Sequence, residues 1–251
     1  MKRYSSLLKQ KENEILSYLE DDEIVIFTTN ELFQRFRERY DYGEFSEALS
    51  KLDKVGHIER VEKGKYIKRG FNDQYVIGNY LTKDAVIAYW SALNLHGLTE
   101  QFASTVFVQT TKKKQNKKIF NVEYKFVKVK PEKMIGVVNL GYGNHAFKVT
   151  DKEKTIVDCF DLPEYAGDFN WAMEAFVKNR WSQDLLIKYC SAVGNNAAVK
   201  RMGYLADMNK MAMSRFIRFA LEIVNNTINL LNPLASNTGK IVTKWGLKIN
   251  E

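Results

Sequence analysis

Two cysteines, three histidines and three prolines among 251 residues remove several readings before any motif is considered. Cys159 and Cys190 cannot make a disulfide framework, and a reducing, cytoplasmic compartment is the expectation that follows. With His57, His96 and His145 they supply a structural zinc site poorly, so neither a metal nor a cofactor is expected. No window approaches the roughly 20 apolar residues that span a bilayer. The start, MKRYSSLLKQKENEI, has no apolar signal core, so no membrane partner is expected either. Scarce proline permits long uninterrupted elements. What is present is a core: 45% hydrophobic and 13% aromatic residues argue against disorder.

The formal charge of +8 is unevenly spread. Residues 1–75 carry 14 basic and 15 acidic side chains, residues 76–150 carry 11 and 4, and residues 151–251 carry 13 and 11. The middle excess is concentrated in KKKQNKK, at Lys112, Lys113, Lys114, Lys117 and Lys118. This run lies between β-branched and aromatic stretches, Ser104–Thr110 and Ile119–Val129, so the lysines are expected to cap a hairpin. There they could grip nucleic acid or an acidic protein face, or stand as a solvated loop. No aromatic is interleaved in the run to stack bases.

Residues 1–72 predict three helices and a ribbon. Ile15, Leu16 and Leu19 form the stripe of a first helix ending at Glu20-Asp21-Asp22. Thr28 and Glu31 are spaced as a capping box, opening a second helix through Arg39. Tyr42-Gly43 reads as a turn, after which Phe45, Ala48, Leu49, Leu52 and Val55 recur at helical spacing until Gly56. HIERV and YIKRG then flank a turn at Glu62-Lys63-Gly64-Lys65. This is the order of a winged helix-turn-helix, whose third helix enters the major groove while the hairpin touches the backbone. With the apolar stripe buried, Glu44, Ser46, Glu47, Ser50, Lys51 and Lys54 face outward, and Tyr42 sits at the helix entry. Ser50 and Lys51 are candidates for base edges. Lys54, Arg60, Lys63 and Lys65 suit phosphates, with Arg35, Arg37 and Arg39 as further backbone contacts. Glu44 and Glu47 oppose nearby phosphates and point to modest affinity.

Residues 73–251 predict a larger mixed α+β domain, with strands at about 104–150 and a mainly helical part at 151–230. The fold class is therefore α+β. Thr150 and Glu153 are spaced as a second capping box before KTIVDCF. Glu123 and Lys125 share one face of a strand, as in metal-dependent nucleases, but between Val76 and Val122 the only acids are Asp84 and Glu100. Gly141-Tyr142-Gly143-Asn144 lacks the third glycine of a dinucleotide loop and reads as a turn. His96 beside Gly97 reads as a cap, and Cys159 in IVDCF as packed. No catalytic constellation emerges, so a non-enzymatic protein is expected.

Four stretches in order carry a family resemblance: LSKLDKVGHIERVEKGKYIKRG, AVIAYWSALNLHGLTEQFASTVFVQTT, VTDKEKTIVDCFDLPEYAGDFNWAMEAF and GNNAAVKRMGYLADM. The chain resembles the AbiEi antitoxins, the regulator half of abortive-infection toxin–antitoxin operons. The resemblance implies an N-terminal domain that binds inverted repeats in its own promoter, and a C-terminal domain that opposes a nucleotidyltransferase-like toxin, directly or indirectly. The DNA role falls on the exposed positions of the third helix and wing, and the basic residues 112–118 are assigned to toxin or nucleic acid. The alternatives are a module that binds the toxin without DNA, and a nuclease centred on Glu123 and Lys125.

Overall fold

The structure, a computed structural model, describes residues 9–101 and 104–250. Phe102 and Ala103, inside the second of the four stretches, lie outside the described residues. The chain is mixed α+β and divides into two compact units, one running through Leu81 and including Gly141–Ala146, the other formed by Thr82–Leu140 and the chain from Phe147. The division falls after Leu81, later than the expected 72/73 boundary. The reason is α4 (Gln74–Tyr80): its Tyr80 hydroxyl bonds Glu31, and Lys65 Nζ donates to Leu81 O at 2.5 Å.

In the first unit, α1 (Gln10–Asp21) buries Ile15 and Leu19, the stripe that the sequence indicates. A short strand not foreseen, β1 (Ile26–Thr28), precedes α2 (Thr29–Phe36). The Thr28–Glu31 capping box forms as expected, with Thr28 Oγ1 accepting from Glu31 N at 3.1 Å. The second helix stops at Phe36 instead of continuing to Arg39, because Tyr40 turns back to donate its hydroxyl to Glu14 at 2.8 Å. Tyr42-Gly43 is not a turn but the first turn of α3 (Tyr42–Val55), capped by Asp41, whose Oδ1 accepts from Glu44 N at 2.9 Å. A helix can begin on glycine when an aspartate cap supplies the acceptor. Phe45, Ala48, Leu49 and Leu52 are buried, each large side chain contributing about 1.5–3 kcal/mol relative to exposure. Gly56, at φ +80°, ends the helix in the left-handed region that favours glycine. Strands β2 (Ile58–Glu62) and β3 (Lys65–Lys68) form the expected ribbon, and β1 adds to β3, giving an antiparallel sheet of order β1-β3-β2. The segment Gly141–Ala146 belongs here through Asn144 Nδ2, which donates to Asp22 O at 2.8 Å and Glu23 O at 3.0 Å.

The second unit contains a six-stranded mixed sheet made by β4 (Val86–Ile87), β5 (Thr105–Thr110), β6 (Lys117–Ile119), β7 (Val122–Lys128), β8 (Val137–Leu140) and β9 (Phe147–Thr150). The order is β6-β7-β5-β4-β9-β8. The expected hairpin joining 104–110 to 119–129 is corrected. β5 and β7 run parallel, and β7 makes its antiparallel hairpin with β6, which contains Lys117 and Lys118. The turn lies at Phe120-Asn121, with Phe120 at φ +52°. After β5 the chain is held by Asp84, which accepts from Thr110 Oγ1 at 2.6 Å and Thr111 N at 2.7 Å.

Six further helices follow the pattern of the sequence: α5 (Tyr89–Leu95), α6 (Lys152–Asp161), α7 (Phe169–Lys178), α8 (Gln183–Val193), α9 (Asn196–Met208) and α10 (Ser214–Ile223). Helix α6 is central, packing on α5, α7, α8 and α9, and is buried from Lys154 to Asp161. Its cap is Asp151, not Thr150: Asp151 Oδ1 accepts from Lys154 N at 2.7 Å, whereas the Thr150 hydroxyl faces Thr155. A second sheet, order β10-β12-β11, joins β10 (Asn229–Leu230), β11 (Lys240–Val242) and β12 (Leu247–Ile249). No helix among the described residues is long and apolar enough to cross a membrane.

Candidate nucleic-acid interface

Helix α3 presents Tyr42, Glu47, Ser50 and Lys54 to solvent, with Ser46 half-buried between them. Tyr42, Ser46, Ser50 and Lys54 recur every four residues with Glu47 beside them, which puts the set on one side, away from Phe45, Leu49 and Leu52. Two residues expected on that side are engaged elsewhere. Glu44 closes the Asp41 capping box and pairs with Lys11 Nζ at 3.3 Å, so its charge is neutralised within the unit. Lys51 is half-buried and sits 3.6 Å from Glu12, a carboxylate only 3% exposed, which removes it as a base reader. The repulsion expected from Glu44 is thereby lifted, and that from Glu47 stays.

On the ribbon, Arg60 and Lys63 are exposed. Lys65 is not: its ammonium is held by Leu81 O and by Glu62 at 3.2 Å, so the expected phosphate contact is corrected to a structural one. The second-helix arginines diverge. Arg35 lines a hollow with Asp21 and Asp22 of the α1 end, Arg37 donates to Gln34 at 3.3 Å, and Arg39 pairs with Glu14 at 3.4 Å. All three remain exposed, but Arg35 and Arg39 face carboxylates of the same unit.

Three residues missed by the sequence reading complete the surface. Asn30, exposed at the start of α2, accepts from the Tyr42 hydroxyl at 3.3 Å and links the two helices. Asp53 accepts from Arg60 N at 3.1 Å and fastens α3 to β2. Tyr66 is 5% exposed; burial pushes its phenol above the ordinary value, the Arg60 guanidinium acts in the opposite sense and Asp53 adds to the rise. Tyr66 thus marks where helix face and ribbon meet. Only its alternation within YIKRG could have signalled a buried position, and the tertiary neighbours had no sequence signal.

In the second unit, Lys112, Lys113 and Lys118 are exposed, whereas Lys114 and Lys117 are half-buried. Lys114 Nζ lies 5.3 Å from the centre of the Phe126 ring, and Phe120 stands 52% exposed at the adjoining turn. Aromatic rings therefore do accompany the lysines, brought by β7 and its turn rather than by the run itself. Glu123 is exposed and accepts from Thr105 Oγ1 at 3.4 Å, while Lys125 Nζ lies 5.9 Å from the Phe107 ring centre. No group of three or more His, Cys, Asp or Glu side chains able to hold a metal occurs among the described residues, so the nuclease alternative gains no ligand set. Burial pushes the Cys190 thiol up to about 12 and Cys159 well above its ordinary value, which leaves neither as a ready nucleophile. His96 caps α5 and contacts Thr150 O at 2.7 Å.

No protein-family model and no curated protein matches the chain. Among solved structures it is similar to the crystal structure of the RV2827C protein from Mycobacterium tuberculosis. The TM-score is 0.67 at 15% identity, covering 96% of this chain and 91% of that one. At that identity the likeness concerns the fold alone.

Proposed function

We propose that the first unit is a winged helix-turn-helix that binds the promoter of its own operon, and that the chain is the antitoxin partner of a nucleotidyltransferase-like toxin. The observation that carries the DNA half is the stripe Tyr42, Ser46, Glu47, Ser50 and Lys54, left open on α3 beside a ribbon bearing Arg60 and Lys63. Element order α1-β1-α2-α3-β2-β3, with β1 added to the β2-β3 ribbon, supports the winged reading. Phosphate contacts from Lys54, Arg60 and Lys63 position the helix, and Ser46, Ser50 and Tyr42 are its polar groups for base edges. Few free cations against Glu47 imply binding of modest strength and limited readout.

The antitoxin half rests on the AbiEi resemblance and on the exposed lysines 112, 113 and 118 of the second unit. A gel shift with the upstream promoter, followed across salt, tests the first half: log affinity falls linearly with log salt. Growth of cells co-expressing the neighbouring toxin with a Lys112→Ala/Lys113→Ala/Lys118→Ala variant tests the second, with loss of protection expected. No promoter shift, together with a stable toxin complex in gel filtration, would establish the interaction-module reading instead.

A further inference from the structure

At the C-terminal end of α3 a groove of about 870 Å³ opens in the first unit, within the size range of small-molecule sites. Its floor is apolar: Leu16 and Leu19 of α1, Val55 at the end of α3, and Ile58 of β2. Leu19 and Ile58 are also core residues, 2% and 1% exposed, so the floor is an edge of the core itself. Its rim is basic. Lys54, Lys68 and Arg69 line it, with Glu20 as the one carboxylate among the lining residues.

Lys11, Lys51, Lys65 and Arg39 of the same unit are each in an ion pair, whereas Lys54, Lys68 and Arg69, like Arg60 and Lys63 on the ribbon, are in none among the described residues. What sets these three apart is that they line one apolar groove. Gly56 makes room for one of them: a Cβ at this position would stand 3.3 Å from the Arg69 guanidinium. Arg69 N donates to His57 O at 3.1 Å, and His57 Nε2 is buried in the same wall with no hydrogen-bond partner among the described residues. An apolar floor with three cations against one carboxylate on its lining is complementary to a ligand with a hydrocarbon or aromatic body and one anionic head.

We infer that this groove binds a small amphipathic anion, its body on Leu16, Leu19, Val55 and Ile58 and its carboxylate, sulfonate or phosphate head on Lys54, Lys68 and Arg69. Lys54 belongs both to the groove rim and to the outward stripe of α3, so occupancy competes with DNA phosphate for one ammonium. That second part rests on the promoter-binding reading above.

The probe is 8-anilinonaphthalene-1-sulfonate, titrated by fluorescence against the full chain. A single saturable site is expected in the native protein. The Lys68→Ala/Arg69→Ala variant, with an unchanged melting midpoint, weakens it about tenfold. The uncharged N-phenyl-1-naphthylamine binds more weakly than the anion and does not distinguish the two proteins. Equal dye affinity in the double variant, or tighter binding of the neutral analogue, overturns the site. The dye is then added to a labelled promoter duplex bound by the protein. It lowers duplex affinity for the native chain and not for the double variant. Dye binding without that effect overturns the competition. A duplex that never binds, with the dye titration intact, overturns the promoter reading and supports the groove on its own.

Discussion

The two units handle charge in opposite ways. Through Leu81 most charges sit at or near the surface and several are matched there: Lys11 with Glu44, Lys51 with Glu12, Arg39 with Glu14 and Lys65 with Glu62. In the second unit some charges are sunk into the core. Lys154 and Asp158 are 0% and 1% exposed and bond each other, and Lys200, 0% exposed, is held by Thr227 O at 2.6 Å and other oxygens without a carboxylate. Others, at Lys112, Lys113 and Lys118, stand exposed. A near-neutral segment can therefore present unopposed cations, and a basic one can keep some of its charge inside. What a partner meets is set by pairing and burial, not by the sum.

The sharpest way to break this comparison is at the buried pair. Asp158→Ala leaves the buried Lys154 ammonium, in the first turn of α6, without the carboxylate that it bonds, and is expected to cost about 3–5 kcal/mol, read as a shift of the urea midpoint. A Lys154→Met/Asp158→Leu variant, which removes both charges, is expected to recover much of that loss. If the single variant is no worse than a surface substitution, the core of the second unit does not depend on the pair.

A smaller effect is expected at Asp84. Partial burial raises its carboxyl, but the hydroxyls of Thr110 and Thr111 and the Thr111 amide outweigh this and hold it at about 2, below the ordinary 3.8. Because the folded value is depressed, the stabilisation is present above pH 3.8 and is lost as the pH falls through about 2. An acid titration of stability is expected to show about 1–2 kcal/mol lost in that window, and Asp84→Asn to abolish this part of the curve. A variant whose acid limb overlays that of the native chain would contradict it.

How much of this was legible in the sequence follows from the range of the interactions. The helices of the first unit were readable because Ile15 and Leu19, then Phe45, Leu49 and Leu52, repeat at helical spacing, and the Thr28–Glu31 box is a signal four residues wide. Strand β1 was not, since three residues have no period of their own and exist as a strand only through pairing with β3. The parallel register of β5 and β7 was hidden for the same reason: adjacent strands in sequence suggest a hairpin, and only the Phe120 turn and the Asp84 lock redirect the chain. At the candidate interface, periodicity gave the outward stripe of α3 but could not give the partners. Glu12, thirty-nine positions before Lys51, and Leu81, beyond the ribbon, decide which lysines are free.

The smallest effects test that last point within one helix turn. Lys51 and Lys54 are three residues apart on α3 and chemically identical, yet one is paired with buried Glu12 and the other is exposed. Lys51→Ala strips the cation from a carboxylate that retains, among the described residues, only the Lys9 amide, at 2.5 Å, as partner, and is expected to lower stability by about 1 kcal/mol with the salt slope of promoter binding unchanged. Lys54→Ala is expected to leave stability within about 0.5 kcal/mol and to reduce the slope by about 0.9 of a unit, the release of one counterion. Urea unfolding and fluorescence anisotropy on the same two proteins separate the cases. Equal slopes would mean that exposure does not select the phosphate-binding residue, and the division between matched and open charge in the first unit would lose its functional meaning.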